Sequence, residues 1–313
     1  MELIISFLSA AVVAGTPLLL ATLGEILTEK VGNLNLGVEG MMLMGAVMGF
    51  AVSMKTENPI LSILAGAIAG TIGALIYAFL TVGLKANQVV SGLTLSIFGT
   101  GFSSMIGKGL NLIGQRTPET VKSFFEVTPI PILNKIPIVG PIFFNQDKFI
   151  YISYILVIVL GVYVYNTRLG LNLRAVGENP ACADASSINV NLYKYINILI
   201  GGALCGLGGA YLSLVYIPSW QENVTAGRGW IAVALVIFAA WNPYKAILGS
   251  YLFGGLGIVA FRFEILTMHI SQYLIDMLPY IVTVVILITL SIKKNNKNAP
   301  PNWLGNSYFR EER

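Results

Sequence analysis

The chain has 313 residues, 55% of them hydrophobic and 11% charged, against about 25% charged in a soluble domain, which excludes a free-standing soluble protein and places the chain in a membrane. A formal net charge of +4 says little about nucleic acid, because membrane proteins gather Lys and Arg at their cytoplasmic ends. Two cysteines and a single histidine supply neither a disulfide framework nor a metal cluster.

Residues 3–24 form the first uncharged run, and its flank, Met1 and Glu2, lacks the basic residues and the small-x-small site of a cleaved leader, so it reads as a retained helix. Glu25 at its end reads as interfacial. The next candidate, 35–53, carries Glu39 near its start, behind Asn33 and Asn35. Runs 58–84 and 86–107 follow, each long enough for the ~20 residues of a bilayer crossing. The stretch 108–147, with Pro118, Pro129, Pro131, Pro137 and Pro141, reads as an extracytoplasmic loop. Runs 149–167 and 195–221 are again long enough to cross, and they flank a polar segment, 166–194. Two shorter runs, 229–244 and 246–261, are separated by Lys245 and interrupted by Pro243, so short or broken helices are expected there. A last span, 270–292, contains Asp276 and leads to a basic tail, 293–313.

The expected fold is therefore all-α, a polytopic transmembrane helical bundle of nine spans, with eight to ten compatible with the pattern. One permease domain, 1–292, precedes a cytoplasmic tail, 293–313. With the tail inside and the N-terminus outside, the inner loops hold Lys30, Lys85, Arg168, Arg174, Lys194, Lys245, Lys293, Lys294, Lys297, Arg310 and Arg313 out of nineteen basic residues, as the positive-inside rule requires. Small residues recur at helical spacing: Gly45 and Gly49; Ala65, Ala69 and Gly73; Gly201, Cys205 and Gly209; Gly202, Gly206 and Ala210. Such rows allow close helix packing in lipid. An echo between 57–79 and 241–261, each with an Asn-Pro, a small-residue stripe and a terminal Ala-Phe, reads either as an inverted repeat or as a chance similarity of Gly/Ala-rich helices.

Three stretches carry chemistry. In "EKVGNLNLGVEG" an acid lies within a membrane segment, between Gly37 and Gly40, where irregular backbone is tolerated only if covered by protein or facing a cavity. Glu39, Asn33 and Asn35 either line a polar route or anchor helices. "SWQENVTAGRGW" places Gln221, Glu222, Arg228 and Trp230 beside a short apolar run; it reads either as a loop with interfacial aromatics or as a re-entrant element whose helix start faces a pathway. Gln88, in "KANQVVSG", is a weaker case of the same kind. In "NTRLGLNLRAVGENPACADASSINV" Pro180 holds a first-turn position ahead of Ala181, Ala183, Ala185 and Ser186, which reads either as a short exposed helix that fits a partner's groove or as a solvated loop. No phosphate-loop spacing occurs, since "GKGLNLIGQRT" lacks it.

"GNLNLGVEGMMLMGA" and "TRLGLNLRAVGENPACADASSINV" together resemble membrane permeases of ABC importers in the branched-chain amino acid and simple-sugar superfamily. The nearest branch handles nucleosides with lipoprotein receptors of the basic membrane protein class, and the likeness covers residues 3–292. It implies that Arg174, Ala175, Val176, Gly177, Glu178, Asn179, Pro180, Ala183 and Asp184 belong to a cytoplasmic segment docking on an ATPase, with Cys182 and Ser186 among its small positions. It also implies a second homologous permease chain, an ATPase with two fused nucleotide-binding domains and an external lipid-anchored receptor in a bacterial cytoplasmic membrane. This chain itself would be no enzyme and bind no cofactor, ATP being used by the partner. Nucleosides are the expected substrate, with ribose or another simple sugar as the alternative. An ion-coupled secondary transporter fits less well, because Glu39 lies near the start of its segment.

Overall fold

A computed structural model describes residues 2–263, 277–278, 281–285, 288 and 299–310. Most of the expected span 270–292, together with His269 and the lysines of the tail, lies outside the described residues.

Among the described residues, six helices are long and apolar enough to cross a membrane. They are α1 (Glu2–Lys30), α2 (Val38–Thr56), α3 (Pro59–Ala78, extended by a π-helical turn to Gly83), α4 (Gln88–Gly109), α7 (Lys148–Asn166) and α10 (Val190–Tyr211, with a second π-helical turn to Tyr216). Between α4 and α7 lie the short helices α5 (Glu119–Phe124) and α6 (Val139–Phe143). Two residue pairs, β1 (Thr128–Pro129) and β2 (Asn145–Gln146), join there antiparallel. The polar segment after α7 folds as α8 (Arg168–Glu178) and α9 (Pro180–Ala185). The two shorter runs become α11 (Arg228–Phe238) and α12 (Pro243–Phe263). At about 1.5 Å per residue, the 11 residues of α11 reach only halfway across a bilayer.

The bundle has two recognisable ends. At one, called here the Lys85 end, stand Lys30, Lys85, α8, α9 and residues 299–310. At the other, the Lys108 end, Lys108 pairs with Glu222 at 3.1 Å and Thr120 approaches Glu57 at 3.4 Å.

Helix α10 packs on α1, α2 and α3, and small residues make this possible. A methyl group added at Gly206 would come within 2.3 Å of Gly66 O, and one at Gly45 within 2.3 Å of Gly206 O. The backbones are nearly in contact, which is how helices gain van der Waals attraction where lipid removes the hydrophobic drive. On α3, Gly66, Gly70 and Ala74 lie against α10. Gly73 of the expected row meets Met41 and Met44 of α2, and Ala69 is buried. Leu19, Leu20, Leu23, Met41, Met42 and Phe50 fill the interior, while large apolar residues of α3 and α4 such as Ile68, Ile72, Phe79, Val90 and Ile97 face outward, as lipid contact requires.

The two Asn-Pro sites have matching local structure. Asn58 Oδ1 accepts from the backbone N–H of Ile60 at 3.0 Å, and Asn242 Oδ1 from that of Tyr244 at 2.9 Å. Each asparagine caps a helix whose first residue is proline, where a missing N–H costs nothing.

Candidate functional site

Helix α1 ends at Lys30, yet α2 does not begin at the same level. A methyl group at Gly40 would lie 2.3 Å from Leu95 O, and one at Gly99 would lie 2.4 Å from the Gly40 Cα. Leu95 stands seven residues into α4, about 10 Å along its axis. Residues 31–37 therefore dip back into the bundle, and α2 starts close to its middle. The sequence reading of Glu39 as an acid near one end is corrected accordingly: the chain spends its polar, glycine-bearing stretch on the descent.

From the opposite end a second non-helical stretch descends. Trp220 is fully buried and packs against Gly107, where a methyl group would sit 2.4 Å from the indole nitrogen. Eight residues of α4, about 12 Å, separate Gly107 from Gly99. Residues 221–227 cover that distance and deliver the first turn of α11 to Glu39. A methyl group on Gly229 would lie 2.5 Å from both the Cα and the N of Glu39, so only glycine fits between the two backbones.

The N-termini of α2 and α11 thus meet at one carboxylate. Glu39 is 6% exposed. Its Oε1 accepts from the Thr225 hydroxyl and, at 2.9 Å, from the Gly227 N–H; its Oε2 accepts from the Gly229 N–H at 2.6 Å. Backbone N–H groups that a helix start leaves without internal partners are satisfied here by an acid, and the positive end of α11's dipole adds attraction of about 0.3–2 kcal/mol. Two helix starts within the bundle are stitched together by a charge held within protein, where hydrogen bonds to it are worth most.

The other residues singled out by sequence divide between two places. Asn33, Asn35 and Gln88 gather around the descent from α1. Gln88 Oε1 accepts from the Leu34 N–H at 2.7 Å; Asn35 Oδ1 accepts from the Gly37 N–H at 2.8 Å, and the Asn35 N–H donates to Glu25 Oε1 at 3.0 Å. Asn33 is fully buried, with its amide 3.5 Å from the Thr81 hydroxyl. Glu25 is not interfacial; it is 0% exposed, because the descending chain covers it. Gln221 and Glu222 stay at the exposed Lys108 end, apart from Glu39. Arg228 turns its guanidinium to the carbonyls of Val224 and Thr225 and lies 5.5 Å from the Tyr216 ring, while Trp230 is 39% exposed. Thr225 and the pair Glu29 and Trp241, joined by an indole-to-carboxylate hydrogen bond, were not singled out by sequence. Thr225 lay in a quoted stretch, but its partner is 186 residues away. The Glu25/Glu29 spacing of four was a usable sign, since it puts both acids on one helix face.

The second cluster is the α8–α9 hairpin at the Lys85 end. Thr167 caps α8 by accepting from the Gly170 N–H at 3.0 Å, and Asn179 caps α9 by accepting from the Cys182 N–H at 3.0 Å. Val176, Gly177, Pro180 and Ala183 are buried and root the hairpin, whereas Glu178, Asn179, Ala181 and Cys182 are exposed. A methyl group on Gly177 would lie 2.1 Å from Lys30 O, so the hairpin sits directly on the end of α1. Arg174 lies 5.7 Å from the Tyr165 ring, Ala175 is half-buried, and Asp184 pairs with Arg310 at 3.1 Å.

Residues 7–287 match the family model described as branched-chain amino acid transport system / permease component. A Haloferax volcanii protein named provisionally as a glucose ABC transporter permease is 37% identical, over 97% of each chain. The nucleoside ABC transporter permease NupC of Lactococcus lactis is 34% identical over 87% of this chain and 88% of its own. The guanosine ABC transporter permease NupQ of Bacillus subtilis is 32% identical over 89% of each. Among solved structures, an inward-facing conformation of a transporter provisionally typed as a metal-chelate ABC transporter superposes with a TM-score of 0.51 at 14% identity, covering 90% of this chain and 85% of that one. That last likeness concerns the fold alone.

Proposed function

The chain belongs to the branched-chain amino acid transport permease family, and from that premise we propose that it is a membrane-spanning chain of an ABC importer that moves nucleosides across the cell membrane. What carries the reading is whole-length similarity to two nucleoside permeases, joined to a bundle in which two helices start at mid-depth around one acid. The Haloferax relative favours a second reading, in which the cargo is a simple sugar such as glucose or ribose.

In this reading nine spans and an inverted repeat organise the chain. One unit is the broken approach, α2 and α3; the other is the broken approach, α11 and α12. Each second helix opens on an Asn-Pro cap, and the two units run in opposite directions from the Glu39–Gly229 contact. Junctions of half-helices at mid-membrane are where transporters built from inverted repeats place the site around which the two halves rock. Glu39, already holding three donors, braces that junction, and Asn33, Asn35 and Gln88 set the geometry of the broken stretch beside it. Gln221, Glu222, Arg228 and Trp230 belong to the mouth at the Lys108 end, taken as extracytoplasmic. The Lys85 end is cytoplasmic. There the hairpin from Arg174 to Asp184 docks on an ATPase with two fused nucleotide-binding domains, through the exposed edge of Glu178, Asn179, Ala181 and Cys182. A second, homologous permease chain completes the channel, and a lipid-anchored receptor delivers the substrate.

The test is uptake of radiolabelled guanosine, uridine, glucose and ribose by cells carrying or lacking the gene. Loss of nucleoside uptake on deletion, restored by the gene in trans, is expected. Loss of sugar uptake with nucleoside uptake intact would move the cargo to the second reading.

A further inference from the structure

Residues 299–310 return to the Lys85 end and lie across it. The Trp303 N–H donates to Gly177 O at 3.0 Å, and the Gly305 N–H donates to Gly32 O at 3.3 Å. Asn302 gives its backbone N–H and its side-chain amide to Glu178 Oε2 at 3.3 and 2.8 Å. Tyr308 Oη donates to Asp184 Oδ2 at 2.9 Å, and Arg310 Nε approaches the same oxygen at 3.1 Å. On the far side, Lys85 Nζ donates to Tyr308 O at 2.7 Å and stands 4.5 Å over the Phe309 ring, while Gln88 Nε2 donates to Asn306 O at 3.2 Å.

These contacts are selective in what they join. They take hold of the α8–α9 hairpin at Gly177, Glu178 and Asp184, and of two reversals of the chain. Gly32, with φ of 91°, turns the chain from α1 into the descent toward Glu39; Lys85, with φ of 57°, turns it from α3 into α4. A lysine held in left-handed backbone persists where its surroundings fix it, and here residues 307–309 hold it from both its carbonyl and its side chain, Ser307 Oγ lying 3.5 Å from Lys85 O. Gln88, bonded to the tail through its nitrogen, holds Leu34 through its oxygen. A continuous series of bonds therefore runs from Asp184 and Glu178, through residues 302–308, to Lys85, Gln88 and the broken stretch that ends at Glu39.

We propose that residues 300–310 are a coupling strap: a displacement imposed on α8–α9 by the ATPase reaches the α1–α2 break through this segment. The inference rests on the importer reading given above. The rival route is the direct seat of Gly177 on Lys30, which needs no strap. Contiguous packed and hydrogen-bonded contacts of this kind carry coupling between sites when both ends move together.

The experiment compares three chains in proteoliposomes holding the complete transporter, ATPase and receptor: full length, truncated after Asn298, and the double variant Tyr308→Phe/Arg310→Gln. Substrate moved per ATP hydrolysed is the readout, with ATPase retention checked by co-purification. The truncated chain is expected to retain the ATPase and its hydrolysis while substrate moved per ATP falls at least about fivefold, the lower end of the range for coupled sites. A synthetic peptide of residues 299–313 should restore it, and the double variant should fall between the two. Wild-type stoichiometry in both altered chains would overturn the strap and leave the Gly177 seat as the route. Loss of the ATPase from the truncated complex, with the double variant unaffected, would overturn it in favour of a role in assembly. Absence of ATP-driven transport by the full-length complex would overturn the importer reading and the strap with it.

Discussion

At the scale of single residues, Glu39 is a buried carboxylate held by donors from a second chain segment. Its three donors are two backbone N–H groups and one hydroxyl. In Glu39→Gln one acceptor oxygen becomes an NH2 facing N–H groups, leaving buried donors unmatched at about 1–3 kcal/mol each. Both thermal stability in detergent and uptake should drop; a variant that melts and transports like the wild type would contradict the bracing role. Thr225→Val removes one donor and should cost less. Asp147, ahead of α7, accepts from Tyr211 Oη at 3.0 Å and from the Ile150 N–H at 2.9 Å, and burial raises its carboxyl above the ordinary value of 3.8. The folded chain therefore holds this proton where the unfolded chain has released it. Stability from this group is full below pH 3.8 and is lost as pH rises through the raised value. Asp147→Asn should remove that slope, as read from melting temperature against pH. The sequence displayed Glu39 because an acid among apolar residues is visible without a fold. It concealed Thr225 because a threonine in a polar loop has no distinguishing pattern until the partner carboxylate is known.

At the scale of elements, uncharged run length marked out α1, α3, α4, α7 and α10 with small shifts at the ends, since one physical constraint, bilayer thickness, sets both. Asn179 and Pro180 likewise announced the start of α9 through local chemistry alone. What composition could not convey was depth. The runs beginning near 35 and 229 look alike as strings, but α2 and α11 start at mid-bundle because Gly40, Gly99 and Gly229 let backbones touch there, a tertiary fact. Which helix each small-residue row would meet was also hidden: Gly66 and Gly70 lie against α10 while Gly73 meets α2, and only the fold decides that. Gly206→Leu tests that packing. Its side chain would be driven into Gly66 O and the Gly70 backbone, and the overpacking, typically about 1–3 kcal/mol and occasionally more, should lower the melting temperature in detergent by several degrees. An unchanged melting temperature would mean that α3 and α10 are not so closely apposed.

At the scale of the whole molecule, the two clusters lie at different heights along the bundle: the Glu39 junction in its middle and the α8–α9 hairpin at the Lys85 end. In the importer reading proposed above, the two places must be linked, since the partner ATPase acts on the hairpin and substrate passes the junction. Arg174→Ala and Glu178→Ala should each leave the chain folded and lower transport more than ATP hydrolysis, by about fivefold or more if the hairpin carries the coupling; equal loss of both rates would assign these residues to assembly instead. The family resemblance was legible because the α8–α9 segment keeps an unbroken local motif, whereas the bonds from residues 302–310 to that motif cross more than a hundred positions of sequence and have no counterpart in it.

The most direct measurement is uptake of radiolabelled guanosine into proteoliposomes containing this chain, the second permease chain, the ATPase and the receptor, with ATP inside or absent, and with Glu39 or Gln at position 39. ATP-dependent guanosine accumulation that needs this chain and falls in Glu39→Gln is the expected result. Accumulation that proceeds without ATP, or is unchanged when this chain is omitted, would contradict the assignment of the bundle as the ATP-driven pathway.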